Sequence, residues 1–132
     1  MVAGWDGVST ASPNATSAAS PNATSGVGNI LLNGNNVGNT SSGTVSLTAG
    51  NSITMNGGLV YSDQTGGKNS SVSLQSVGGN IALNGGFLHA RSSGAGIASV
   101  GLTAAGSIDI AAASTVKAES GGASAAVAVS SS

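Results

Sequence analysis

The chain has 132 residues, a formal net charge of −1 and only three Lys or Arg side chains. So few cations exclude nucleic-acid binding through phosphate neutralisation and exclude polybasic membrane targeting. No stretch approaches the roughly 20 apolar residues of a transmembrane helix, and Met1 to Thr10 carry neither the basic nor the apolar region of a signal peptide.

Composition narrows the fold next. Gly contributes 22 residues, aromatics 2%, charged residues 5%, and there is no Cys. Gly, Ser, Thr and Asn are poor helix formers and occur throughout, which argues against a helical bundle. One Trp, one Tyr and one Phe cannot build an ordinary aromatic-rich core. Disorder combines low hydrophobicity with high net charge, whereas here 39% of residues are apolar and the charge is nearly nil. A repetitive β structure remains.

Residues 1–27 come first and stand apart from the rest of the chain. They hold both Pro residues, in two tandem blocks, Ser12-Pro13-Asn14-Ala15-Thr16-Ser17 and Ser20-Pro21-Asn22-Ala23-Thr24-Ser25. Pro cannot donate to a β-ladder and biases the chain toward extended forms. The segment reads as a Ser/Thr/Pro-rich arm: either a flexible linker or an extended arm that pairs with a neighbouring subunit. Asn14 and Asn22 open Asn-x-Thr tripeptides, and Asn39 and Asn69 open Asn-x-Ser, the glycosylation acceptor pattern. Such tripeptides also arise by chance in a chain this rich in Asn, Ser and Thr.

From Gly28 onward the chain repeats. Ile30-Leu31-Leu32, Ile53-Thr54-Met55, Ile81-Ala82-Leu83 and Ile108-Asp109-Ile110 share an in-out-in pattern with start spacings of 23, 28 and 27. Val45, Val72, Val100 and Val127 open a second set of triplets, spaced 27, 28 and 27. Val37, Val60, Leu88 and Val116 mark a weaker third set between them. Period-two alternation makes each set a column of strands with one buried face. Strands with one buried face cannot bury it alone, so successive repeats must stack. The predicted fold is an all-β, three-sided parallel β-solenoid of about four coils of 27–28 residues, spanning residues 28–132. Those twelve aligned Ile, Val and Leu positions form its stacking core.

The corners carry Gly and Asn, expected to supply positive φ. Asn33, Asn56 and Asn84 keep the same offset from Ile in successive coils. Besides marking turns, that offset predicts an asparagine ladder, with amides hydrogen-bonding along the axis. Aligning the third set also yields outward columns. Asp63, Arg91 and Glu119 alternate in sign, a charge ladder that fixes register. Leu59, Tyr61, Phe87 and His89 gather on one side, either as an exposed contact stripe, with Trp5 of the arm as a further contact, or turned inward to fill a wider core. His89 is expected to stack on Tyr61.

Little in the sequence points to catalysis. His89 is the only His, and the four carboxylates Asp6, Asp63, Asp109 and Glu119 are scattered, so neither a metal cluster nor a paired-carboxylate site is expected. Gly66-Gly67-Lys68 has neither the spacing nor the helix of a phosphate loop. The expectation is a non-enzyme without cofactor or metal.

The pattern Gly-Asn-Ile-x-Leu-Asn-Gly-Gly followed by Val-x-Leu-x-Ala-Gly, seen in Asn29 to Gly34, Val45 to Gly50, Asn51 to Gly58, Asn80 to Gly86 and Val100 to Gly106, resembles the repeats of filamentous-haemagglutinin-like exoproteins. These are long β-helical bacterial surface adhesins secreted by the two-partner route. The resemblance implies a right-handed parallel β-helix and an extracellular or cell-surface, bacterial location. The chain departs from the family in length and lacks an Asn-Pro-Asn-Gly stretch of the kind found in its secretion domains. No cap helix is visible and few charges blunt the edges. The expected role is a structural subunit of an extracellular filament or fibrous surface adhesin that stacks head to tail with copies of itself. The alternative is a glycan- or surface-binding adhesin module cut from a longer β-helical exoprotein, with host or cell-surface glycans as partners and no insertion into membranes.

Overall fold

The structure, a computed structural model, describes residues 2–3, 26–41 and 43–132. Its strands, in chain order, are β1 (Val2–Ala3), β2 (Ile30–Asn33), β3 (Asn36–Asn39), β4 (Thr44–Ala49), β5 (Ile53–Asn56), β6 (Leu59–Gln64), β7 (Ser70–Ser76), β8 (Ile81–Asn84), β9 (Phe87–Ser92), β10 (Ala98–Ala104), β11 (Ile108–Ile110), β12 (Thr115–Ser120) and β13 (Ala125–Ser131). Among the described residues there is no helix, hence none long and apolar enough to cross a membrane.

The strands form three parallel sheets. The first holds β2, β5, β8 and β11, the second β3, β6, β9 and β12, and the third β1, β4, β7, β10 and β13. Each turn of chain contributes one strand to each sheet, so the molecule is a β-solenoid of about four coils. That architecture fits β-helical adhesin repeats in general.

The apolar triplets set the register. Ile30 lies opposite Ile53, Ile53 opposite Ile81 and Ile81 opposite Ile108. Val37, Val60, Leu88 and Val116 align in the second sheet, and Val45, Val72, Val100 and Val127 in the third. The core between the sheets holds Leu47, Ile53, Met55, Val60, Leu74, Ile81, Leu83 and Leu88, all fully buried. Each such side chain contributes about 1.5–3 kcal/mol by leaving water. A one-residue slip would turn a whole strand's apolar set outward, which is why the register holds.

Two expectations about local geometry change. Positive φ at the described corners is confined to Gly; no Asn adopts it. Gly58 shows why Gly is needed there: its φ is +83, and a Cβ would run into the Asn35 backbone. The second change concerns residues 1–27. Rather than standing wholly apart from the repeat, this segment contributes β1, which lies parallel to β4 of the same chain. Apart from β1, Gly26 and Val27, the arm lies outside the described residues, as do Trp5, Asn14 and Asn22.

The first coil is shorter than the rest. β3 ends at Asn39, opposite Ser62, so Asp63 and Gln64 at the end of β6 have no counterpart in it. The corner between the second and third sheets is therefore cut back on that coil.

Candidate functional site

Three features of the surface carry chemistry, and each grows from residues at fixed register. The first is the asparagine column at the end of the first sheet. Asn56 Nδ2 donates to Asn33 Oδ1 at 2.9 Å, and Asn84 Nδ2 donates to Asn56 Oδ1 at 3.1 Å. Asn56 thus donates to the coil before it and accepts from the coil after it. The last coil ends the column: Ser114 Oγ donates to the Leu83 carbonyl at 2.7 Å and accepts from Gly85 N at 2.9 Å.

A second Asn device was not foreseen. One residue before Ile30 and Ile81, Asn29 Oδ1 accepts from Ser52 N at 3.0 Å, and Asn80 Oδ1 accepts from Ser107 N at 2.9 Å. Asn69, one of the acceptor-pattern residues, works likewise: its Oδ1 accepts from Ile97 N at 2.9 Å. Asn39 Oδ1 accepts from Ser41 N within its own turn. Polar residues also enter the interior at the corner between the second and third sheets. Ser92 Oγ donates to the Lys68 carbonyl and Ser120 Oγ to the Gly96 carbonyl, both at 2.8 Å. Gln64, Ser92 and Ser120 share one register column; their 28-residue spacing was the signal available in the sequence. Gln64 Nε2 is buried there with no hydrogen-bond partner among the described residues.

The second feature is the outer face of the second sheet. Val60 and Leu88 point into the core, so Leu59, Tyr61, Phe87 and His89 face outward, each half-buried. This removes the inward alternative. The Tyr61 ring lies against Gly38, where any Cβ would overlap it. Phe87 and His89 meet edge to face, with ring centroids 5.4 Å apart. His89 thus makes its ring contact with Phe87 rather than stacking on Tyr61 as expected.

The charge ladder is also rearranged. Arg91 lies opposite both Asp63 and Glu119 in register, and Arg91 Nη1 approaches Asp63 Oδ2 at 3.6 Å. Glu119 turns elsewhere: Lys117 Nζ sits 2.6 Å from its Oε1, and His89 Nε2 sits 2.8 Å from its Oε2. Lys117 is two residues away on the same face of β12, and His89 is the diagonal neighbour on β9. Both reach Glu119 more closely than Arg91 does. Their hydrogen bonds, Lys117 first and His89 second, hold the Glu119 carboxyl below its ordinary pKa. Among the described residues no three His, Cys, Asp or Glu converge on a point where a metal ion could sit.

The third feature is the contrast between the coil ends. In the first coil Ile30, Leu32 and Val45 are each 4% exposed. In the fourth, Ile110, Val127 and Val129 are 45, 47 and 52% exposed. β13 carries no charged residue. On its outer side, after Ala126 and Ala128, Ser130 Oγ donates to Thr103 Oγ1 at 3.3 Å.

Comparison of the chain with protein-family models, with curated proteins and with solved structures yields no match.

Proposed function

We propose that this β-solenoid is a structural, non-enzymatic subunit of an extracellular filament or fibrous bacterial surface adhesin of the filamentous-haemagglutinin-like kind, assembling head to tail with copies of itself. The observation that supports this most is the fourth coil. Ile110, Val127 and Val129 continue columns whose earlier members are buried, yet they stand half exposed, the two Val residues on a strand without charge. Parallel strands beside such an edge find both apolar cover and backbone partners. Contact between unlike ends of identical subunits is heterologous and propagates into a fibre.

Electron microscopy of the purified chain tests the reading. Fibres that disappear on Val127→Asp, with circular dichroism unchanged, are the expected result. Dispersed monomers of the intact chain at high concentration would overturn it.

A second reading is supported by the outer face of the second sheet. Tyr61, lying flat on Gly38, with Phe87 and His89 beside it, offers ring surface of the kind that stacks on sugars. On this reading the chain is a glycan-binding module of a β-helical surface exoprotein. Loss of glycan-array binding in Tyr61→Ala with Phe87→Ala, while polymerisation persists, would support it. Loss of polymerisation instead would make the stripe a subunit contact.

A further inference from the structure

The third sheet is one strand taller than the other two: its order is β1-β4-β7-β10-β13, whereas the others hold four strands each. The additional strand, β1, places Val2 opposite Thr48 and Ala3 opposite Ala49. From Thr48 the register runs unbroken through Gln75 and Thr103 to Ser130. A parallel strand has two hydrogen-bonding edges. Within the sheet, β1 uses one edge on β4, and β13 uses one on β10. The remaining edges of β1 and β13 face opposite ways along the axis, and a translation by one subunit brings such edges together.

Burial at the first coil adds a constraint. Ile30, Leu32 and Val45 are already covered within the chain. An incoming copy therefore does not find that core bare, and on the third sheet the first strand it meets is β1.

We infer that β1 is the junction strand of the assembly: β13 of one copy pairs in parallel with β1 of the next, placing Ser130 opposite Val2 and Ser131 opposite Ala3. This rests on the head-to-tail reading and specifies its contact. It sets the repeat length as well. With β1 as a rung, each subunit advances five strand spacings, about 24 Å; with β4 directly on β13 it advances four, about 19 Å. The column Thr48, Gln75, Thr103 and Ser130 is uncharged, so no ion pair within it contributes to the contact.

The chain has no Cys, so introduced pairs report without background. Paired parallel strands lie about 4.8 Å apart, within the Cα separation that disulfides span. Under oxidation, Val2→Cys with Ser130→Cys is expected to give covalent multimers, and fibre diffraction of the unaltered protein an axial repeat near 24 Å. Multimers from Thr48→Cys with Ser130→Cys, together with a repeat near 19 Å, would leave the filament reading standing and overturn the role of β1. No fibre from the unaltered protein would overturn both. The repeat is read on the native chain, so a misfolded Cys variant does not decide the outcome.

Discussion

Ile30, Leu32 and Val45 in the first coil are buried, while Ile110 and Val127, at equivalent register in the fourth, stand half exposed. The residue types are nearly the same and the strands alternate in the same phase. The pattern therefore specifies which way a side chain points, and what lies over it decides how much water it loses. In a stacked fold, stability is close to a sum over coils and their interfaces, so equivalent substitutions at different heights should differ in cost.

The largest effect is expected at Leu74, which lies fully buried between Leu47 and Leu102. Leu74→Ala should lower the unfolding free energy in urea by about 2–5 kcal/mol, and Val129→Ala by under about 1 kcal/mol. Equal costs would mean that the fourth coil is covered in solution. Next comes Gly58→Ala. The positive φ and the close Asn35 backbone should together cost about 1–3 kcal/mol, read as a lowered urea midpoint.

The asparagine column offers a smaller, graded test. Asn56 makes hydrogen bonds to both neighbours, whereas Asn84 has one such partner, Asn56. Asn56→Ala should cost about 1 kcal/mol and Asn84→Ala about half that. Equal losses would show that the amides act as turn residues and not as a ladder.

The smallest effect concerns acid. The lowered pKa of Glu119 means that the folded state favours its charged form. That contribution is present above the carboxylate's ordinary value of 4.5 and is lost as pH falls through the lower folded value. Thermal unfolding followed on the fourth coil should show an acid-side loss that Glu119→Gln removes.

Much of this architecture was legible in the sequence. The three apolar columns were visible because each residue type recurs at a coil's spacing, and stacking is the only way such strands bury a face. The Asn33, Asn56 and Asn84 alignment followed from the same offset. Other parts left no such trace. A two-residue strand such as β1 is too short to show any alternation. An inward serine such as Ser92 is indistinguishable by type from a serine in a turn. The choice of Glu119 for Lys117 and His89 over Arg91 depends on side-chain reach, which register alone does not convey. Asn was expected at positive φ because it tolerates that region; here Gly takes the positive φ, and Asn side chains cap backbone N–H groups instead.

The early turn of the first coil gives the molecule an uneven outline. One corner is cut back where β3 stops at Asn39 and projects again where β6 continues to Gln64. In any array of this chain that short strand would recur once per copy along one flank, a ruler mark that divides the stack into countable lengths.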